Sequence, residues 1–253
     1  MIKAIFFDVD GTLIAHGEET ISNRVKEALR QLQKQGIKLF VATGRPPNSI
    51  DHVSSAFKFD GYLTANGQYC FNEIELLHEK YIPRESLKML IPYIEEHKIP
   101  VLFSTLKMNY RNACNTTFHG DSPLVNYEKL LNKDVIQLMV PIQPEQDAEF
   151  LAHLPLCKTA RWTDAFTDVI PEDGGKDCGI KKMIEYYNIS LDEVMACGDG
   201  ENDLTMLDYV PHSVAMGNAN DIVKSHASFV TTHINEDGLI NAFKHFNILD
   251  ENF

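Results

Sequence analysis

A chain of 253 residues, 44% hydrophobic and 23% charged, has ordinary globular composition and is long enough to bury a core without disulfide staples. Its 36 acidic against 23 basic residues leave a formal net charge of −13, with no run of Lys or Arg; nucleic acid and acidic membrane surfaces are disfavoured as partners, whereas a small phosphorylated ligand is not. The five cysteines (Cys70, Cys114, Cys157, Cys178 and Cys197) are odd in number, widely spaced and lack a CxxC pair, which argues against a disulfide framework or a zinc site and fits a reducing, cytoplasmic setting.

The first element is residues 2–7, IKAIFF, a nearly continuous apolar run typical of a parallel strand covered on both faces. It is too short for a signal-peptide core, and no stretch of the chain approaches the ~18 apolar residues of a membrane span. Ser22 is the expected N-cap of a helix carrying Val25, Leu29 and Leu32 on one face, ended at Gly36. IKLFVATGR then reads as a second strand with a polar exit at Thr43, and FDGYLTANG as a third with Leu63 in the strand and Asn66-Gly67 in the turn. Strand, helix and strand in close succession imply a parallel α/β sheet.

The middle of the chain reads differently. A helix, RESLKMLIPYIEEH, is followed by the strand candidates PVLFST, MNYRNAC, IQLMVPI, TARWT and FTDVI, some with short connections that favour antiparallel pairing. From GIKKMIEYYN onward the helix–strand grammar returns, through EVMACG, NDLTMLDYV, SVAM, NDIVKSHA and FVTT to a last helix near LINAFKHF. The expected fold is α/β, a Rossmann-like parallel-sheet core of residues 1–81 and 179–253 with an inserted α+β cap of residues 82–178. The expected state is a monomer or a weak homo-oligomer.

In an open α/β sheet, ligands gather at the carboxyl ends of the strands. The polar residues at these exits are Asp8, Asp10 and Thr12; Thr43, Gly44 and Arg45; Asn66 and Gly67; and Asp199, Asn202 and Asp203. Extended backbone turns residues two apart to the same side, so Asp8 and Asp10 face one site, and Asp199 and Asp203 share a face at the start of a helix. Carboxylates ~5 Å apart repel by roughly 3 kcal/mol each at an effective dielectric of about 20, which calls for a cation. Oxygen donors alone select a hard ion, Mg²⁺ above others. An EF-hand reading of DVDGT fails because Leu13 stands where that loop requires Gly and the preceding segment is strand-like. A solvated turn with incidental acids remains open for DVDGT alone, but not once the other strand exits are counted.

The motifs DVDGTL at 8–13, ATGR at 42–45, ANG at 65–67, Lys176 and GDGENDLTML at 198–207 resemble, in kind and order, the haloacid dehalogenase superfamily of phosphatases, in its Cof-like branch with a large α/β cap. The resemblance implies that Asp8 attacks phosphorus and becomes an aspartyl phosphate, and that Asp10 protonates the leaving oxygen and then activates water. It implies that Thr43 and Lys176 hold the phosphoryl group. Asp199 would bind Mg²⁺ with Asp8 and the main-chain carbonyl of Asp10, supported by Asp203, while Asn202, Asn66 and Arg45 position the site and substrate. Gly11 and Gly44 would let backbone N–H groups approach the phosphoryl oxygens, and Asp10, working as an acid, should have a raised pKa held by Thr12.

The family usually has Gly after this lysine; here Asp177 follows, read as the cap of a helix beginning near Gly179. His119 and Asp121 read as a surface or substrate-facing loop, Trp162 as a core anchor, and Met89 and Leu90 as core. The implied activity is Mg²⁺-dependent hydrolysis of a small phosphorylated metabolite, such as a sugar, nucleotide or cofactor phosphate. Its rivals are a phosphomutase or phosphotransferase, which would need Lys107, Arg111, Lys158 and Arg161 clustered as a second phosphate pocket, and a metabolite-binding regulator with a dead site.

Overall fold

The computed structural model describes residues 1–112 and 122–253; the His119 and Asp121 loop and Cys114 lie outside the described residues. In chain order, the first half of the core holds β1 (Ala4–Phe7), α1 (Asn23–Lys34), β2 (Lys38–Ala42), α2 (Asp51–Ser54), β3 (Gly61–Thr64), β4 (Tyr69–Phe71) and β5 (Leu76–Glu79). The insert holds α3 (Arg84–His97), β6 (Leu102–Thr105), β7 (Asn109–Arg111), α4 (Tyr127–Leu130), β8 (Val135–Val140), α5 (Asp147–Ala152), β9 (Cys157–Thr163) and β10 (Phe166–Pro171). The chain then returns through α6 (Lys176–Tyr187), β11 (Val194–Gly198), α7 (Leu204–Tyr209), β12 (His212–Ala215), α8 (Asp221–Ser225), β13 (Phe229–Val230) and α9 (Gly238–His245).

Two sheets result. The core sheet runs β13-β12-β11-β1-β2-β3-β4-β5, parallel from β13 through β3 and antiparallel in the β3–β4–β5 edge. The insert forms an antiparallel sheet in the order β7-β6-β8-β10-β9. This is the expected α/β core with an α+β cap; the hairpin β4–β5 is an addition that the sequence pattern does not announce.

Strand β1 explains the core. Ile5 and Phe7 pack with Leu29 and Leu32 of α1 and Phe243 of α9 on one face. Ala4 and Phe6 pack with Ile180 and Met183 of α6 and Leu207 of α7 on the other. Alternate side chains of one strand thus enter two separate clusters, which is why the strand has no polar face. The cap has its own cluster, with Leu87, Leu90 and Ile94 of α3 against Phe103, Leu138 and Val169 of its sheet.

Local signals account for several ends. The Ser22 side chain accepts the Val25 N–H at the start of α1, and Gly36 follows its end with φ +84°. Two expectations fail. Met89 is 54% exposed, on the solvent side of α3, while Leu90 is buried. Helix α6 begins at Lys176, three residues before the expected start, so Asp177 lies within its first turn and Gly175, not Asp177, occupies the cap position. No helix among the described residues is long and apolar enough to cross a membrane.

Candidate active site

The carboxyl ends of β1, β2, β3 and β11 converge as the sequence predicts. Asp8 leaves β1 with its backbone N–H on the Cys197 carbonyl at 2.9 Å, placing it beside the exit of β11. Its Oδ1 accepts from Lys176 Nζ at 2.7 Å, and the same ammonium donates to Asp203 Oδ1 at 2.5 Å. Lys176 is fully buried, unlike an ordinary surface lysine. Burial works against its charge, but the carboxylates of Asp203 and Asp8 more than offset this and raise its pKa.

Asp203 is fully committed. Its second oxygen accepts the backbone N–H groups of Asp199 and Gly200, each at 2.9 Å, and so shapes the loop that presents Asp199. Asp199 in turn accepts from Thr12 Oγ1 at 2.8 Å and from Asn218 Nδ2 at 3.1 Å. Asn218 also donates to the Gly11 carbonyl at 2.9 Å, tying both halves of the core at this point. One carboxylate oxygen each from Asp8, Asp199 and Asp203 lies within 4.8 Å of the others. Burial, then the charge of Asp203, pushes Asp199 up to about 7, and burial raises Asp8 well above the usual carboxylate range despite Lys176. Closely set acids that resist ionisation and offer only oxygen suit a hard divalent cation.

Three expectations at this rim need correction. Asp10 is not held as an acid. Burial pushes its pKa up, but the hydrogen bonds and charge of Arg45 outweigh this, and the net shift is downward. Arg45 grips both oxygens, Nε to Oδ2 and Nη2 to Oδ1, each at 2.7 Å. Thr12 does not support Asp10 and does not face a substrate; it is buried against Asp199. The Gly11 N–H donates to the Ile14 carbonyl at 2.8 Å, so it does not serve phosphoryl oxygens. What Gly11 provides is clearance: its φ is +95°, and a Cβ there would lie 2.0 Å from Asp199 Oδ2.

Asp8, Asp10, Thr43, Gly44, Arg45, Asp199 and Asn202 line a cavity of about 460 Å³ between the strand exits and the cap. Thr43 accepts the Arg45 N–H at 3.1 Å, which leaves its hydroxyl proton available to donate. Asn66, in left-handed backbone at φ +54°, is a bolt across the two parts. Its Nδ2 donates to Asp168 Oδ2 at 2.9 Å and to Gln137 Oε1 at 3.3 Å, and its Oδ1 accepts from Asn202 at 3.2 Å. Gln137 Nε2 donates to the Gly44 carbonyl at 2.9 Å.

Asp168, Gln137 and Asn218 are site residues that the sequence motifs do not single out. Asn218 follows β12 and obeys the same strand-exit rule as the others. Asp168 and Gln137 sit mid-strand in the cap, where spacing gives no signal. Trp162 is no core anchor: it is 42% exposed and lines the cavity. Of the four cap cations, none lines it. Arg161 pairs with Asp147 and donates to the carbonyls of Ile142, Thr163 and Asp164, and Arg111 donates to the Ser122 carbonyl.

A parallel sheet with a carboxylate cluster at its strand exits and a second sheet across the opening has the layout of an enzyme with a capped, carboxylate-lined site. The model of the haloacid dehalogenase-like hydrolases matches residues 5–243, and the chain belongs to this family, among its phosphatases. It is 32% identical over 255 residues to YkrA of Bacillus subtilis strain 168, a protein named as a suspected phosphatase, with 98% of each chain covered. It is 27% identical to the 5-amino-6-(5-phospho-D-ribitylamino)uracil phosphatase YcsE of the same organism, covering 97% of this chain and 96% of that one. Among solved structures, the subclass IIB sugar phosphatase BT4131 superposes with a TM-score of 0.89 at 36% identity, covering 98% of this chain and 100% of that one.

Proposed function

We propose that this phosphatase hydrolyses small phosphomonoesters with Mg²⁺ through an aspartyl-phosphate intermediate, with residues 82–178 serving as the cap that closes over the substrate. The observation that carries this reading is Lys176, buried between Asp8 and Asp203 with Asp199 beside them. A lone carboxylate is a poor nucleophile toward an anionic phosphoryl group; a fixed cation beside it reduces that repulsion and stabilises charge on the oxygens in transfer.

The Asp8 oxygen not bound to Lys176 forms the bond to phosphorus as the bond to the leaving oxygen breaks. Asp10 gives that oxygen a proton, then takes one from the water that attacks the aspartyl phosphate, so acid and base alternate on one residue. To do this, Asp10 has to release Arg45. Thr43 and the Gly44 segment hold phosphoryl oxygens, and Asn202 and Asn66 fix the loop around them. Asp8, Asp199 and the Asp10 main-chain carbonyl would hold Mg²⁺, with Asp203 behind them; when bound, the ion would supply Lewis-acid stabilisation of the phosphoryl oxygens.

The mutase reading loses weight because no Lys or Arg of the cap lines the cavity among the described residues. The test is phosphate release from p-nitrophenyl phosphate, with Mg²⁺ or chelator, by the native protein and Asp8→Asn. Mg²⁺-dependent release lost in Asp8→Asn is the expected result. Release that survives Asp8→Asn overturns the nucleophile, and no release from the native protein overturns the reading.

A further inference from the structure

Among the described residues, no hydrophobic cluster spans cap and core. The cluster of Leu90, Phe103 and Leu138 lies within the cap, and the two clusters that flank β1 draw on core residues alone. Hydrogen bonds cross the seam instead, an arrangement that lets the cap move as a unit. One of them reaches the phosphoryl-holding turn. Gln137, in the middle of β8 and 1% exposed, donates from Nε2 to the Gly44 carbonyl at 2.9 Å, and its Oε1 accepts from Asn66 Nδ2 at 3.3 Å.

The peptide between Gly44 and Arg45 is trans, so its carbonyl and its N–H point in opposite directions. The carbonyl points to Gln137, and the N–H donates to Thr43 Oγ1 at 3.1 Å. The peptides on either side are tied to the core: the Thr43 carbonyl accepts the Asn66 N–H at 2.9 Å, and the Arg45 carbonyl accepts the Ala65 N–H at 2.8 Å. The carbonyl between them takes its bond from the cap. The bonds run one way in series, from Asn66 to Gln137, from Gln137 to Gly44 and from Arg45 to Thr43, and donors aligned head to tail polarise one another. The last member, the Thr43 hydroxyl, has accepted one bond and keeps its proton for the cavity that it lines.

We propose that Gln137 is a positioning residue: by fixing the Gly44–Arg45 peptide it aims the Thr43 hydroxyl at the phosphoryl group, so the turn that holds this group is complete only with the cap in place. This rests on the phosphatase reading above. The effect of Gln137 travels through Thr43, which separates it from an ordinary seam bond. Asn48 supplies the contrast: its Nδ2 donates to the Thr105 carbonyl at 3.1 Å and joins core to cap away from that turn.

The test is a double-mutant cycle on p-nitrophenyl phosphate with Mg²⁺, using the native enzyme, Gln137→Met, Thr43→Val and the double variant. Gln137→Met should lower kcat about 10- to 100-fold and leave KM within about threefold, because the bond it loses serves the phosphoryl group in transfer. In the Thr43→Val background the same substitution should cost less than about threefold. Asn48→Ala should leave kcat within about threefold of native. The inference is overturned by no loss in Gln137→Met, by losses at Gln137 and Thr43 that multiply in full, or by a kcat loss in Asn48→Ala equal to that in Gln137→Met, which would mean that the cap acts through closure alone. Each of these leaves the phosphatase reading intact. Gln137→Glu keeps the shape and the acceptor for Asn66 but, as a carboxylate, cannot donate to Gly44. It should show the same coupling to Thr43→Val, and it decides the question where Gln137→Met does not fold. A native enzyme inert on the ester removes both readings.

Discussion

Arg45 holds both oxygens of Asp10 at 2.7 Å and keeps its carboxyl ionised below the usual range. The resting site therefore stores its acid in the wrong protonation state, and a substrate has to draw Arg45 away before Asp10 can donate. Removing the guanidinium should raise the pKa of Asp10. In Arg45→Ala, the alkaline limb of kcat/KM against pH, where the acid is lost, should move to higher pH. An unmoved limb would mean that Asp10 is not the acid that the profile reports. Both partners are over one-third exposed, so the pair is screened and its loss should barely change the melting temperature.

Lys176 presents the opposite case, because its surroundings are dry. Lys176→Met leaves Asp8 and Asp203 buried without their cation, and breaking such a pair costs about 3–5 kcal/mol. Denaturant unfolding in chelator should show a loss of that order, part of which Mg²⁺ restores by taking over the role of counter-charge. Phosphate release should fall by at least about 10²-fold. A variant as stable as the native protein in chelator would mean that Lys176 is not the charge that makes this cluster tolerable.

Much of this is legible in sequence because strand exits obey a simple rule. A buried parallel strand is apolar on both faces, so the first polar residue after it marks the rim, and Asp8, Thr43, Asn66 and Asp199 fall out in turn. Asn218 follows β12 by the same rule, but a lone amide carries less signal than an acid and does not stand out. Asp168 and Gln137 lie beyond the rule's reach. They reach Asn66 only because the insert folds its sheet over the core, a relation between residues 71 and 102 positions apart in sequence. Arg45 shows a different limit: the exit rule places it at the rim, but its choice of Asp10 as partner inverts the pKa that a general acid suggests.

Metal binding should compete with protons. The folded-state pKa of Asp199, about 7, lies above its unfolded value, so its contribution to stability in chelator is present at low pH and lost as pH rises toward 7. Mg²⁺ binds the ionised form and reverses that loss. The gain in melting temperature on adding Mg²⁺ should be small near pH 5 and grow through pH 7. Asp168, also near 7, adds a decline that Mg²⁺ does not reverse, so Asp168→Asn should flatten the chelator curve and leave the Mg²⁺-dependent difference in place. A Mg²⁺ gain that does not vary with pH would detach the ion from Asp199.

Gly11 and Gly36 separate backbone strain from collision. Both have positive φ, +95° and +84°, and an alanine at either costs about 1 kcal/mol or somewhat more from the backbone alone. Around Gly36 a Cβ meets nothing within 4 Å, whereas at Gly11 it would lie 2.0 Å from Asp199 Oδ2. Gly36→Ala should therefore lose that backbone cost in stability and keep full phosphate release with unchanged Mg²⁺ dependence. Gly11→Ala must also push Asp199 off Thr12 and Asn218, so its half-saturating Mg²⁺ concentration should rise at least about tenfold, the loss expected when the support of a metal-binding carboxylate is disturbed. Equal Mg²⁺ dependence in the two variants would show that Asp199 tolerates displacement and that the close approach at Gly11 is packing alone.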